Sequence, residues 1–282
     1  MIVKAYAKIN IALGVTGKRD DGFHNLDMII APLDLHDSIE ITAMPAGYDT
    51  LVTCDACELT TGDYNLCTIA VNKMREFFRF KENFRIHIHK RIPMSAGLGG
   101  GSSDAAAVVK GIMTLLKLKT TETDLIDICR AIGSDVPFFF KQKPARVRGT
   151  GEILDPIFIN KRYYVLLIKP TQGLATKDVY MKYDENVPES REVRPVIEAL
   201  KAGDDTDLAH AMFNDLEPAA VALCPEIAAI KRSLKQEGLE LVSMSGSGST
   251  VFALSDRLAR LEKAARKNIK PEYVVLLTEL KK

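Results

Sequence analysis

Between residues 93 and 103 the chain reads PMSAGLGGGSS, four glycines and three serines in eleven positions, and it runs directly on into DAAAVVKGIMTLLKL. Glycine, with no Cβ, takes left-handed torsions and lets another group come close to peptide N–H groups. The alanine-rich and then amphipathic run behind it predicts a helix, which Ser102, Ser103 or Asp104 would cap. Ahead of it lies NFRIHIHKRI, whose alternation predicts a strand. Strand, glycine loop and helix start together present unpaired N–H groups and the positive end of a helix, so a phosphate is the ligand this stretch suits. The plainer alternative, a tight turn with small-residue helix packing, needs one glycine rather than four. The run matches neither common nucleotide fingerprint: Ser102 stands where the dinucleotide pattern requires glycine and where the P-loop requires lysine. The phosphate charge must then be met from elsewhere, and a lysine of the first strand is the candidate.

That first strand, VKAYAKINI, places Lys4, Tyr6, Lys8 and Asn10 on one face and Val3, Ala5, Ala7, Ile9 and Ile11 on the other. One face is expected in the core, the other at water or at a ligand. NLCTIAVNKMREFF has apolar residues at helical spacing behind Asn65 as a cap, and TETDLIDICRAIG predicts a helix stopped by Gly133 in a left-handed C-cap. Asp135 follows, and Pro137 biases Val136 towards extended backbone, which would hold the carboxylate at the mouth of the apolar FFF segment. A carboxylate fixed beside apolar walls accepts a hydroxyl proton if a cation keeps it ionised, and Lys8 is the candidate cation. The bland readings are an aspartate capping a turn and a solvated lysine.

Beyond residue 155 the pattern changes. YYVLLIKP predicts a buried strand, two or more amphipathic helices fill 175–236, LELVSM and TVFALS are strands around SGSGS, RLARLEKAARKN is a helix and EYVVLLTEL a final strand. Without the extra helices this is β-α-β-β-α-β, the ferredoxin-like order. The expected class is α+β in two domains, residues 1–155 and 156–282. With 38 basic and 37 acidic residues the net charge is +1, so no bulk field draws nucleic acid or anionic lipid, and the expected partner is a small molecule. No apolar run approaches the ~20 residues of a membrane span, and the lysine-bearing N-terminus is unlike a signal peptide, so a cytoplasmic location is expected. Cys54, Cys57, Cys67, Cys129 and Cys224 read as reduced thiols, and Cys54-x-x-Cys57 lacks the second ligand pair of a zinc site. No metal site is expected, and no heptad or apolar stripe specifies an oligomer.

Six blocks in order, AKINIAL, DGFHNLDMI, PMSAGLGGGSSDAAAV, GSDVPFFF with RGTGE, NDLEPAA and SGSGSTVFAL, resemble the 4-diphosphocytidyl-2-C-methyl-D-erythritol kinases, a family within the galactokinase, homoserine kinase and mevalonate kinase superfamily. The resemblance implies a two-domain small-molecule kinase fold, an N-terminal ATP-binding α/β domain followed by a C-terminal ferredoxin-like domain. It implies transfer of the γ-phosphoryl group of ATP, with Mg²⁺ carried on the ATP, to the 2-hydroxyl of a substrate bearing a cytidine diphosphate group, in the non-mevalonate isoprenoid pathway. By the same resemblance Pro93, Met94, Ser95, Ala96, Gly97, Leu98, Gly99, Gly100, Gly101, Ser102 and Ser103 wrap the phosphates and Asn65 lies toward the adenine. Asp135 and Lys8 match the catalytic pair, Asn10 and Thr176 match substrate contacts, and Phe23 and His24 match the pair that stacks on and bonds the cytosine. Phe23 replaces the family's usual tyrosine, keeping the stacking ring without its hydroxyl, and Asn25 stands where glutamate is common. A sibling kinase for homoserine or mevalonate would have no use for the Phe23–His24 pair, and a non-catalytic ATP-binding sensor would have no need of Asp135 and Lys8.

Overall fold

A computed structural model describes residues 1–45, 47–56 and 65–281. In chain order the elements are β1 (Ile2–Lys18), β2 (His24–Met44), β3 (Leu51–Cys54), α1 (Leu66–Phe78), β4 (Asn83–His89), α2 (Gly100–Leu115), α3 (Glu122–Ile132), α4 (Val136–Lys141), β5 (Ala145–Gly149) and β6 (Ile153–Pro156). They continue with β7 (Tyr164–Pro170), α5 (Thr176–Asp184), α6 (Arg194–Ala202), α7 (Asp205–Ala211), α8 (Glu217–Leu223), α9 (Glu226–Gln236), β8 (Val242–Met244), β9 (Val251–Ser255), α10 (Leu258–Lys267) and β10 (Tyr273–Glu279). The chain forms two compact units, one of residues 1–7, 35–92 and 99–142, the other of residues 8–34, 93–98 and 143–282.

In the first unit β4 pairs antiparallel with the second half of β2, Ser38 opposite His89 through Met44 opposite Asn83, and β3 runs parallel to β4. Ile39, Ile41, Phe84, Ile86 and Ile88 put the alternate residues of these strands in the core, with Val71 and Met74 of α1 and Val108, Val109 and Ile112 of α2. Asn65 caps α1 as its sequence predicts, accepting the Cys67 N–H at 2.8 Å. Helix α2 departs from expectation. It starts at Gly100, with left-handed Gly99 at the N-cap, so Ser102 and Ser103 lie inside its first turn, Asp104 follows at its fifth residue, and none caps it. The Ser103 hydroxyl instead donates to Tyr6 O at 2.7 Å, and Asp104 turns inward. Gly133 ends α3 where expected but with extended backbone, φ 177°, because the chain turns at once into α4. Val136 is correspondingly helical: Pro137 sits in the first turn of α4, where its missing N–H has no carbonyl to lose.

In the second unit the first half of β2 pairs with β5, and β5 with β6. The remaining sheet is antiparallel in the order β10-β7-β9-β8, with α9 and α10 packed on it. That is the ferredoxin-like order read from the sequence, with α5 to α9 occupying the 175–236 stretch. Residues 165–168 of β7 are buried without alternation, as expected of a central strand covered on both faces. The portion of β1 in this unit is likewise buried from Lys8 to Val15. The two-faced reading of β1 holds as far as Ala7, with Lys4 exposed and Tyr6 half-buried between buried Ala5 and Ala7, and fails from Lys8 on: Lys8 and Asn10 are 5% and 1% exposed, so Lys8 is no solvated lysine. Among the described residues no helix is long and apolar enough to cross a membrane.

Candidate functional site

The predicted site residues fall into both units, and each group is built from its own neighbours. In the first unit Gly99 at φ 71° lets the chain enter α2 with no side chain over the helix end. The first intrahelical bond closes from Ser103 N to Gly99 O at 3.0 Å, so the N–H groups of Gly100, Gly101 and Ser102 belong to the turn that an α-helix leaves unpaired. An uncapped helix start with a partial positive charge is what an anion binds. Asn65 is buried at the start of α1, its carboxamide oxygen engaged in the cap. Asp135 takes the N-cap position of α4 in helical backbone, half-buried before the buried Phe138 and Phe139, and its carboxylate makes no capping bond. The turn-capping alternative thus leaves its oxygens unused.

In the second unit Lys8 comes from β1 to the other part of the glycine run. Its ammonium donates to Gly97 O at 2.8 Å and to Asn10 Oδ1 at 2.5 Å. Gly97 is held from two more sides. Ser245 Oγ donates to Gly97 O at 2.9 Å, and a Cβ added to Gly97 would collide with Ser245 O and lie 3.1 Å from Gly248 O. Gly246 also packs tightly, its Cβ position 3.1 Å from Gly97 O and 3.2 Å from Lys8 Nζ. Asn214, buried, ties this SGSG turn down by donating to Met244 O at 2.9 Å and Gly246 O at 2.8 Å. NDLEPAA and SGSGS carry nothing in their own residues that sets Asn214, Ser245 and Gly246 beside Lys8. Only the fold does so. Thr176, at the start of α5, shares a hydrogen bond of 3.0 Å with Ser247 of the same turn.

Phe23 and His24 lie at the entrance to β2. Phe23 is 65% exposed, an open aromatic face, whereas His24 is held. His24 Nε2 meets Asp184 Oδ1 at 2.7 Å, and its ring stacks on Tyr180 at 4.7 Å between centroids. An ionised carboxylate only accepts, so Nε2 is the donor of this bond. Lys18 at 2.5 Å, and then His24, hold Asp184 below the usual carboxylate range against the opposing effect of burial. Thr176 is the one residue of α5 that the sequence assigns to the site; Tyr180 and Asp184 of the same helix carry no local signal of their contact with His24, from which Asp184 is 160 residues away. Cys54 is a free, partly buried thiol, and Cys57 lies outside the described residues. His87 bonds Thr53 Oγ1 at 2.8 Å, and His89 faces Asp55 at 3.6 Å.

Residues 65–143 match the model of the GHMP kinases N terminal domain, and residues 196–273 that of the GHMP kinases C terminal domain. A 4-diphosphocytidyl-2-C-methyl-D-erythritol kinase of Exiguobacterium sibiricum is 38% identical over 280 residues, 98% of each chain. A crystal structure of 4-(cytidine 5'-diphospho)-2C-methyl-D-erythritol kinase superposes with a TM-score of 0.83 at 31% identity, covering 100% of both chains. Homoserine kinase from Cytophaga hutchinsonii, at 18% identity and a TM-score of 0.74 over 99% of this chain and 95% of its own, shares the fold. Full-length identity, an uncapped glycine start to α2 and a lysine bound to the same glycine run agree, and the chain belongs to the family of 4-diphosphocytidyl-2-C-methyl-D-erythritol kinases.

Proposed function

We propose that this chain transfers the γ-phosphoryl group of ATP to the 2-hydroxyl of 4-diphosphocytidyl-2-C-methyl-D-erythritol, a step of non-mevalonate isoprenoid synthesis in the cytoplasm. The hydroxyl oxygen forms the new bond to phosphorus, the bond to the ADP oxygen breaks, and the hydroxyl proton passes to a carboxylate. The uncapped first turn of α2 carries this reading on the structural side, because it offers backbone donors and no competing side chain. Mg²⁺ is part of the nucleotide substrate. Residues 93–103 cradle the phosphates, and Asn65 stands toward the adenine. Asp135, whose oxygens are not spent on capping, accepts the proton. Lys8, buried and bound to Gly97 O, offsets charge developing on the transferred group.

Phe23 supplies the ring that stacks on cytosine. In the neutral tautomer that donates from Nε2 to Asp184, His24 offers Nδ1 as an acceptor for cytosine's exocyclic amine, a donor that uracil lacks. Asn10 and Thr176 are the remaining substrate contacts. Residues 1–155 are read as the nucleotide-binding domain and 156–282 as the ferredoxin-like one, in keeping with the two family matches. Measuring ADP release with ATP and Mg²⁺, in the presence of the diphosphocytidyl methylerythritol, homoserine or mevalonate, tests the reading. Turnover is expected with the first alone. Turnover with another alcohol would remove the cytidine site, and silence with all three would make the chain an ATP sensor.

A further inference from the structure

A buried cluster in the first unit has no part in the reading above. Asp37, at 0% side-chain exposure, accepts three donors: Arg91 N at 2.5 Å and Ile92 N at 2.8 Å on one oxygen, and Lys90 Nζ at 2.5 Å on the other. Lys90, 7% exposed, donates again to Asp104 Oδ2 at 2.9 Å, and Asp104 is itself 2% exposed. The second oxygen of Asp104 has no hydrogen-bond partner, and a Cβ added to Gly100 would lie 3.2 Å from both Lys90 Nζ and Ile92 Cγ2. Two carboxylates thus share one ammonium out of contact with water, a costly arrangement unless each charge is paired. Burial raises the Asp104 pKa above the usual carboxylate range, with the Asp37 charge adding to it against the pull of Lys90.

The location of the cluster gives it a purpose. The chain leaves this unit at Ile92 and returns to it at Gly99. Asp37 holds the departing strand end, residues 90–92, through two backbone amides, and Lys90 reaches from that end to Asp104, the residue of α2 directly behind its first turn. We propose that Asp37, Lys90 and Asp104 are positioning residues, a clamp that joins both ends of the glycine run and sets the pose in which the first turn of α2 receives the nucleotide's phosphates. The clamp rests on the reading of that turn as the phosphate cradle, and it acts through the turn rather than on the transferred group. Its loss should affect nucleotide affinity and leave the chemical step and the alcohol site nearly unchanged.

The full chain with Asp104→Ala, Asp104→Asn and Lys90→Gln tests this by steady-state kinetics in both substrates, with ADP titration calorimetry and a melting curve on each variant. Asp104→Ala, which removes the anchor on α2, should raise the KM for ATP about ten-fold or more, with kcat and the KM for the alcohol within about two-fold. Asp104→Asn keeps an acceptor for Lys90 and should restore ATP affinity. A folded Asp104→Ala protein with unchanged ATP affinity overturns the clamp, as does an Asn variant impaired as much as the Ala one. If Asp104→Ala does not fold, Lys90→Gln, too short to bridge both carboxylates, carries the same expectation, and unchanged affinity there refutes it. Wild-type protein that binds no ADP would sink the phosphate-cradle reading itself, whereas wild-type binding with unaltered variants sinks the clamp alone.

Discussion

Alanine at Gly97 and alanine at Gly101 should have opposite effects, although the two glycines lie in one run. Gly97 sits at φ 71°, and any Cβ there would overlap Ser245 O and press on Gly248 O at 3.1 Å. Left-handed backbone costs a non-glycine residue roughly 1–2 kcal/mol. Forcing atoms into a packed site costs about 1–3 kcal/mol more, and both obstacles here are backbone carbonyls that no rotamer change removes. Together these give about 2–5 kcal/mol, which for a chain of this size lowers the melting temperature by about 4–10 °C. Gly101 carries no such strain. Its Cβ would touch only Leu66 Cδ1 at 3.7 Å, an ordinary contact, and it lies within helical α2. Alanine there gains roughly 0.5–1 kcal/mol of helix propensity and should leave the melting point unchanged or slightly higher. Thermal unfolding of the two purified variants against wild type decides the matter. Equal shifts, or a Gly97→Ala protein as stable as wild type, would refute the close approach of the SGSG turn to Gly97.

Asp135→Asn should retain ADP binding in a calorimeter while turnover falls by about 10²–10⁴, the usual weight of a positioned proton acceptor; near-wild-type turnover would show that Asp135 only orients the hydroxyl. His24→Ala should raise the KM for the cytidine-bearing substrate and spare the KM for ATP, and matched losses in both would mean the two nucleotide sites are exchanged. Because the folded chain raises the Asp104 pKa, it binds a proton that the unfolded chain releases, and stability falls as pH rises from the ordinary carboxylate range towards the folded value. Asp104→Asn cannot lose that proton, so its melting temperature relative to wild type should be greater near pH 8 than near pH 5. A constant difference between those two pH values would contradict the raised pKa.

What the sequence determined by itself is what depends on neighbours in the chain. Asn65 as a cap, the glycine run leading into α2, and the order of strands and helices after residue 155 all follow from spacing and capping, which act over a few residues. Local rules also misplaced some features. The serines do not cap α2, because glycine at position 99 takes the N-cap and leaves them inside the helix, where the Ser103 hydroxyl donates to Tyr6 O. Pro137 does not extend Val136, because the start of a helix tolerates it. The period of two in β1 named Lys8 and Asn10 as a pair but could not show that both faces of the strand become buried, since covering a face is done by other elements.

Only the tertiary structure decided which distant groups meet. Ser245 reaches Gly97 across 148 residues, Asp184 reaches His24 across 160, and Lys90 finds Asp37 at one side and Asp104 at the other. Composition and periodicity carry no record of such pairings, because each is selected by the packing of whole strands and helices rather than by the preference of any one residue. The chemistry available to the lysine, the histidine and the glycine run was written in their identities. The partners that restrain that chemistry were set by the fold.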